Sequence, residues 1–212
     1  MKRQISLKAA GFVLAALAAT ACASDPVTYP DSGPAAPSAP APSAPSAPAA
    51  FTPALNLAGS SVWSSEERLL PQQPILALIA EGGTINAPVG MSMTCNPDNG
   101  VITARLPRQA AGRTGEATFK MKIGTGAAEE IDGRFQVNAR TQEADFVFAL
   151  PSARLTAMSR ADVVTFETDT GEVLWAFVKD PAKASEPRAK YVGSLRGAPQ
   201  EAAEYLVYCN PK

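Results

Sequence analysis

Beyond residue 54, apolar and polar residues alternate with a period of two over much of the chain. In ATFKMKIG, Phe119, Met121 and Ile123 share one side, with Thr118, Lys120 and Lys122 on the other. GRFQVNAR repeats the pattern, with Phe135, Val137 and Ala139 against Arg134, Gln136, Asn138 and Arg140. A strand with one buried and one wet face requires this spacing. GTGAAEE joins the two runs into an expected hairpin, which would set Lys122 opposite Asp132. Further strands are expected at 74–81, 91–96, 100–106, 143–150, 163–168, 172–179 and 188–195.

Two segments change period. SARLTAMSRAD follows Pro151, offers Ser152 as N-cap, and spaces Leu155 and Met158 for one buried stripe. APQEAAEYLVYC places Pro199 in the first turn and Glu201 where the helix dipole favours an acid. Its residues Ala202, Tyr205, Leu206 and Cys209 fall on one face. The expected class is α+β: a mainly antiparallel sheet or small β-sandwich, with one short helix and a C-terminal helix packed on it.

The N-terminal part has a different grammar. Lys2, Arg3 and Lys8 precede an apolar run from Ala9 to Ala19, too short to span ~30 Å of hydrocarbon and of the length of an export signal. Ala19-Thr20-Ala21 fits ordinary signal peptidase, which would release a soluble periplasmic protein. The same residues followed by Cys22 resemble a bacterial lipobox, with Ala19 where that family usually has Leu. That resemblance implies cleavage before a lipidated Cys22. Residues 25–53 contain nine prolines among mostly Ala and Ser, a composition that buries no core. An extended tether is expected there, reaching at most ~90 Å at ~3.1 Å per residue. The expected organisation is a signal over 1–21, anchor and tether over 22–53, and one globular domain over 54–212. Ala23 and Ser24 lack the Asp that, in the lipoprotein family, favours inner-membrane retention. The resemblance therefore implies an outer-membrane anchor facing the periplasm.

Cysteine usage bears on the same point. The chain has Cys22, Cys95 and Cys209, and exported proteins tend to pair their thiols. In MSMTC, Met91, Met93 and Cys95 share a strand face, and Cys209 lies on the apolar face of the last helix. A Cys95–Cys209 bridge is expected, leaving Cys22 for a lipid; two free buried thiols are the alternative.

Candidate chemistry is sparse. The chain has no histidine, which removes imidazole-based nucleophile systems and the usual imidazole-rich zinc sites. Asp169-Thr170-Gly171 resembles the aspartic-protease triplet, but Thr168 and Glu172 depart from that family's flanks. A tight turn between two strands explains the same residues. Asp98-Asn99-Gly100 reads as a hairpin turn rather than a calcium loop, and Glu129, Glu130 and Asp132 as a solvated hairpin end. GRTGEA and GTGAAE lack the ending of a phosphate loop. No metal or other cofactor is expected.

Without Lys2, Arg3 and Lys8, 16 basic residues face 20 acidic ones, a net charge of −4 that argues against nucleic acid as partner. Arg105, Arg108, Arg113, Lys120, Lys122, Arg134 and Arg140 nevertheless concentrate in one third of the domain, as ordinary outer-face charges or as a patch for an anionic ligand. In layout, the strand ending in Cys95, the short helix before ADVVTFET and the closing YVGSLRGAPQEAAEYLVYC resemble small proteobacterial envelope domains. Type VI secretion accessory proteins of the TagO/VasI kind are among them. The resemblance covers roughly 90–209 and carries over no site residue. The functional expectation is an outer-membrane lipoprotein whose non-enzymatic periplasmic domain binds or scaffolds an envelope protein or glycan. The alternative is a carboxylate-based envelope hydrolase using Asp169.

Overall fold

Every strand that the alternation marked out joins one sheet. The computed structural model describes residues 51–67, 73–109, 112–139 and 141–210. Cys22, the export signal, nearly all of the proline-rich segment and Arg140 lie outside the described residues. Eleven strands run β1 (Leu55–Asn56), β2 (Ser61–Glu66), β3 (Ile75–Ala80), β4 (Pro88–Asn96), β5 (Val101–Gln109), β6 (Gly115–Ile123), β7 (Glu129–Val137), β8 (Ala144–Ala149), β9 (Val163–Glu167), β10 (Val173–Val178) and β11 (Tyr191–Ser194). Helix α1 (Ser152–Arg160) precedes β9, and α2 (Ala198–Tyr208) follows β11. The spatial order is β1-β11-β10-β9-β6-β7-β8-β5-β4-β3-β2. Only β11 pairs in parallel, with β1 and β10; the other junctions are antiparallel.

The fold is α+β, but the sheet is not half of a sandwich. It curls into a half-barrel and buries its apolar face against itself and the two helices. Alternation requires that one face be covered and is silent on what covers it. Four consecutive nine-residue strands, β4 to β7, accumulate enough right-handed twist to bend the sheet, and register shifts in β3–β4, β5–β8 and β9–β10 sharpen the curve. The ends of the sheet then meet. Trp63 donates its backbone N–H to Arg196 O (2.9 Å) and its indole N–H to Ser194 O (2.8 Å), while Ser194 Oγ donates to Ser61 O (2.6 Å).

Inside, rings from seven strands are in contact, with Phe166 linking Phe148 to Phe177. Phe119 stacks on Phe146 with centroids 4.1 Å apart, Phe146 on Phe148 at 5.4 Å, and Trp175 on Phe177 at 5.4 Å; Phe177 also meets Trp63 at 5.9 Å. Gly133 is required there, since a Cβ would come within 2.7 Å of the Phe146 ring and 2.5 Å of Val147 O. Leu155 and Met158 of α1 and Ala198, Ala202 and Tyr205 of α2 fill the concave side. ILALIA and VLWAFV read as nearly continuous apolar runs because loops cover their outer faces as well. Ile85 packs on Ile75, Ala77 and Ile79, and Ala184 and Ala189 pack on Ala176, Val178 and Val192.

Local readings hold with some corrections. The Asn99-Gly100 turn links β4 to β5, with Gly100 at φ 67° donating to Asn96 O (2.8 Å). Pro151, not Ser152, caps α1; it is extended (φ −62°, ψ 142°), and its carbonyl accepts from the N–H groups of Arg154 and Leu155. Lys122 does not face Asp132. The β6–β7 register pairs Thr118 with Asp132, joined by a 2.7 Å hydrogen bond, while Lys122 pairs with Thr165 of β9. The reason is that β7 begins at Glu129, so Glu129, Glu130 and Asp132 belong to the strand rather than to the hairpin end. Val137, expected inside, is 46% exposed because β7 ends there and runs past the core.

Cys95 and Cys209 form a disulfide between β4 and the end of α2, with Cα atoms 5.9 Å apart and a sequence separation of 114. In the chain-entropy account a loop of that size stabilises by ~4–5 kcal/mol, and removal of native bridges costs about 2–5 kcal/mol. Replacing both cysteines by Ala is therefore expected to lower unfolding free energy by about 2–5 kcal/mol. Urea titration of the variant and of the native chain with and without reductant measures this. Coincident curves would show that α2 is held without the bridge.

Candidate functional site

The β5–β8 pairing breaks at one place. Leu106 is opposite Phe146 and Gln109 opposite Ala144, so Pro107 and Arg108 together face Asp145. Such a bulge bends the strand and re-aims its side chains. Arg108 takes a left-handed conformation (φ 67°), unfavourable for a residue with a Cβ. The bulge is held from the concave side: Trp175 donates its indole N–H to Pro107 O at 2.9 Å. Arg108 in turn lies over the Tyr191 ring, 5.9 Å from its centroid.

On the outer side the bulge borders a cleft of about 650 Å³ between β4, β5 and the β7–β8 loop. Arg105, Arg108, Gln136, Asn138, Glu143 and Asp145 provide its polar groups; Pro88, Val89, Pro107 and Val137 provide apolar walls. Asp145 is only 3% exposed. Its Oδ2 lies 3.6 Å from Arg105 Nη1 and accepts from Asn138 Nδ2 at 3.2 Å. Arg105 also donates through Nη2 to Gln136 Oε1 (3.1 Å). Asp145 Oδ1 is buried and accepts no hydrogen bond from the described residues. Burial raises the Asp145 pKa above 3.8, and the Asn138 hydrogen bond and the Arg105 charge oppose this only in part. A desolvated carboxylate beside a cation on a cleft wall is the arrangement expected of a functional site.

Of the cations singled out in the sequence, Arg105 and Arg108 share this cleft. Arg113 lies over the Phe135 ring (4.6 Å) and pairs with Asp169 at 3.7 Å. Lys120 is in register with Glu130 on one side and Glu167 on the other. Lys122 borders a separate cavity of about 430 Å³ beneath the 181–190 loop, and Arg134 is opposite Glu116. Asp169 stands in the β9–β10 turn, 57% exposed, with Gly171 at φ 84° donating to Thr168 O (3.0 Å). Among the described residues no three Cys, Asp or Glu side chains gather as a metal site, and no helix is long and apolar enough to cross a membrane.

Sequence reasoning passed over Asp145, Gln136 and Asn138 as site residues. The available signal was ADFVFA, an otherwise apolar strand interrupted by one acid. A second buried group without a partner, the Tyr205 hydroxyl, belongs to the core, where desolvation pushes its pKa up. In comparisons with known proteins, no protein-family model, curated protein or solved structure matches the chain.

The raised Asp145 pKa has a definite sign in the stability profile. The native state holds this proton more tightly than the unfolded chain. Its contribution is therefore complete below the unfolded value and is lost as pH rises through the folded one. Asp145→Asn removes that loss. Relative to the native chain, the variant is expected to gain stability as pH rises above the unfolded carboxylate value and through the raised folded one. Urea unfolding across this range checks it, and a stability difference independent of pH would contradict it.

Proposed function

We propose that this chain is an exported, lipid-anchored binding protein. In this reading Cys22 carries the lipid in the outer membrane, and residues 25–53 tether the domain. The half-barrel then presents its outer cleft to an envelope protein or glycan in the periplasm. The observation that carries the binding role is the Arg105–Asp145 pair, with Asp145 buried, on the wall of a cleft of about 650 Å³. Small-molecule sites combine this volume, apolar walls and a few convergent polar groups. Binding is preferred to carboxylate hydrolysis because Asp169 is exposed, bridged to Arg113 and absent from the cleft lining.

Amide chemical-shift mapping with small polyols, amines and carboxylates tests the binding role. At least one class is expected to shift Gln136, Asn138 and Asp145, and Arg105→Glu to change that response at least about tenfold, weakening it for a carboxylate and strengthening it for an amine. If no class shifts these amides, the cleft is not a binding site. The anchor is tested separately with Cys22→Ser. Loss of membrane association with accumulation of uncleaved precursor is expected; normal processing to a soluble product would overturn lipidation.

A further inference from the structure

Asparagine is a thermolabile residue, and the residue after it sets how readily its side-chain amide is attacked by the next backbone nitrogen. The chain has six asparagines: Asn56, Asn86, Asn96, Asn99, Asn138 and Asn210. Pro97 and Pro211 follow two of them and have no N–H to lose, while Leu57, Ala87 and Ala139 crowd the approach with a Cβ. Only Asn99 precedes a glycine. The turn itself demands that glycine, since residue 100 stands at φ 67°, where a Cβ is unfavourable. The residue that lets β4 turn into β5 is therefore also the one that leaves the Asn99 side chain open to attack. Asn99 is exposed, so water and base reach it.

Two hydrogen bonds act on that attack in opposite directions. Asn99 Oδ1 accepts from the Val101 N–H at 3.0 Å, which polarises the side-chain amide and favours attack at Cγ. The Gly100 N–H donates to Asn96 O at 2.8 Å. Ring closure needs the Gly100 nitrogen without its proton, and removing that proton is the same step as amide hydrogen exchange. A hydrogen-bonded amide exchanges only after local opening. However electrophilic Cγ is, no bond forms to it while the nucleophile keeps its proton, so the Gly100 hydrogen bond decides. Asn96 also fixes the turn with its side chain, its Oδ1 accepting from the Asp98 N–H at 2.9 Å.

We propose that Asn99 is a deamidation site that the folded β4–β5 turn holds shut and that local opening of the turn exposes. On opening, the Gly100 nitrogen gives its proton to solvent base and attacks Asn99 Cγ. The Cγ–Nδ2 bond breaks, and ammonia leaves with a proton from water. Water then opens the cyclic imide at either carbonyl, giving aspartate or isoaspartate at position 99. The net change is one water consumed, one ammonia released and one negative charge gained. Aspartate keeps an oxygen for the Val101 N–H. Isoaspartate routes the main chain through the side-chain carbon. It lengthens the turn that sets Asn96 opposite Val101 and the bridged Cys95 opposite Ile102.

The test incubates the full chain, disulfide intact, and a peptide of sequence NPDNGVI in the same mildly alkaline buffer, read by chromatographic peptide mapping with mass spectrometry. The peptide is expected to convert to aspartate and isoaspartate, and Asn99 in the folded chain to convert at least about tenfold more slowly. Hydrogen exchange of the Gly100 amide is expected to be slowed by a similar factor. Asn96→Ala, which removes the Asp98 contact and keeps the backbone acceptor, is expected to speed both processes together. Equal conversion rates in chain and peptide would show that the turn does not shut the site. An intact asparagine in both, or faster conversion at Asn86 or Asn138 of the folded chain, would show that Asn99 is not the site. Slow conversion beside unprotected exchange at Gly100 would overturn the hydrogen bond as the gate.

Discussion

Trp63 reaches across the mouth of the curl. Its backbone and indole N–H groups donate to carbonyls of the segment running from β11 into α2, and its ring meets Phe177 inside. An open sheet of this width would expose a long apolar face and two unpaired edges. Bringing β2 against the end of β11 eases both problems: the face becomes a core, and the Trp63 N–H groups and the Ser194 N–H find partners across the gap. Ser61 and Ser194 are completely buried at this seam: Ser194 donates its N–H to Ser61 Oγ and its hydroxyl to Ser61 O, while the Ser61 hydroxyl donates to Leu57 O.

Closure also fixes where the helices go. α2 leaves the seam at Gly197, whose φ of 80° turns the chain sharply, and Glu201 in its first turn accepts from the backbone and hydroxyl of Ser65 on β2. At the far end Cys209 returns to Cys95 on β4. The helix is thereby pinned at both of its own ends to the β2–β4 side of the sheet.

The outer cleft depends on the same core. A bulge holding Arg108 in a left-handed conformation costs of order 1–3 kcal/mol and persists only where its surroundings over-determine it. Trp175 provides that support, stacked on Phe177 within the aromatic file while its indole N–H reaches Pro107. Core packing and cleft geometry therefore meet in one side chain. A substitution at Trp175 acts on both sides of the sheet.

The sequence by itself determined the faces of the strands, the Asn99-Gly100 turn, the two helices and the inward direction of Cys95 and Cys209. These follow from local periodicity and turn chemistry, which act over a few residues. The β2 segment SVWSSE escaped because Trp63 is buried by partners more than a hundred residues away, and too few apolar positions mark its period. The Thr118–Asp132 register depended on where β7 begins, and thus on its pairing with β6 and β8. The candidate site was legible only as two arginines in a longer run of cations. Arg105 and Arg108 border one cleft beside Asp145, while Arg113 met Asp169 of the β9–β10 turn, and Lys120 and Arg134 met acidic residues of neighbouring strands. Only the tertiary structure decided the closure of the sheet and the burial of Asp145. Both are pairings between distant segments, and period-two alternation specifies the face of a residue without specifying its neighbour.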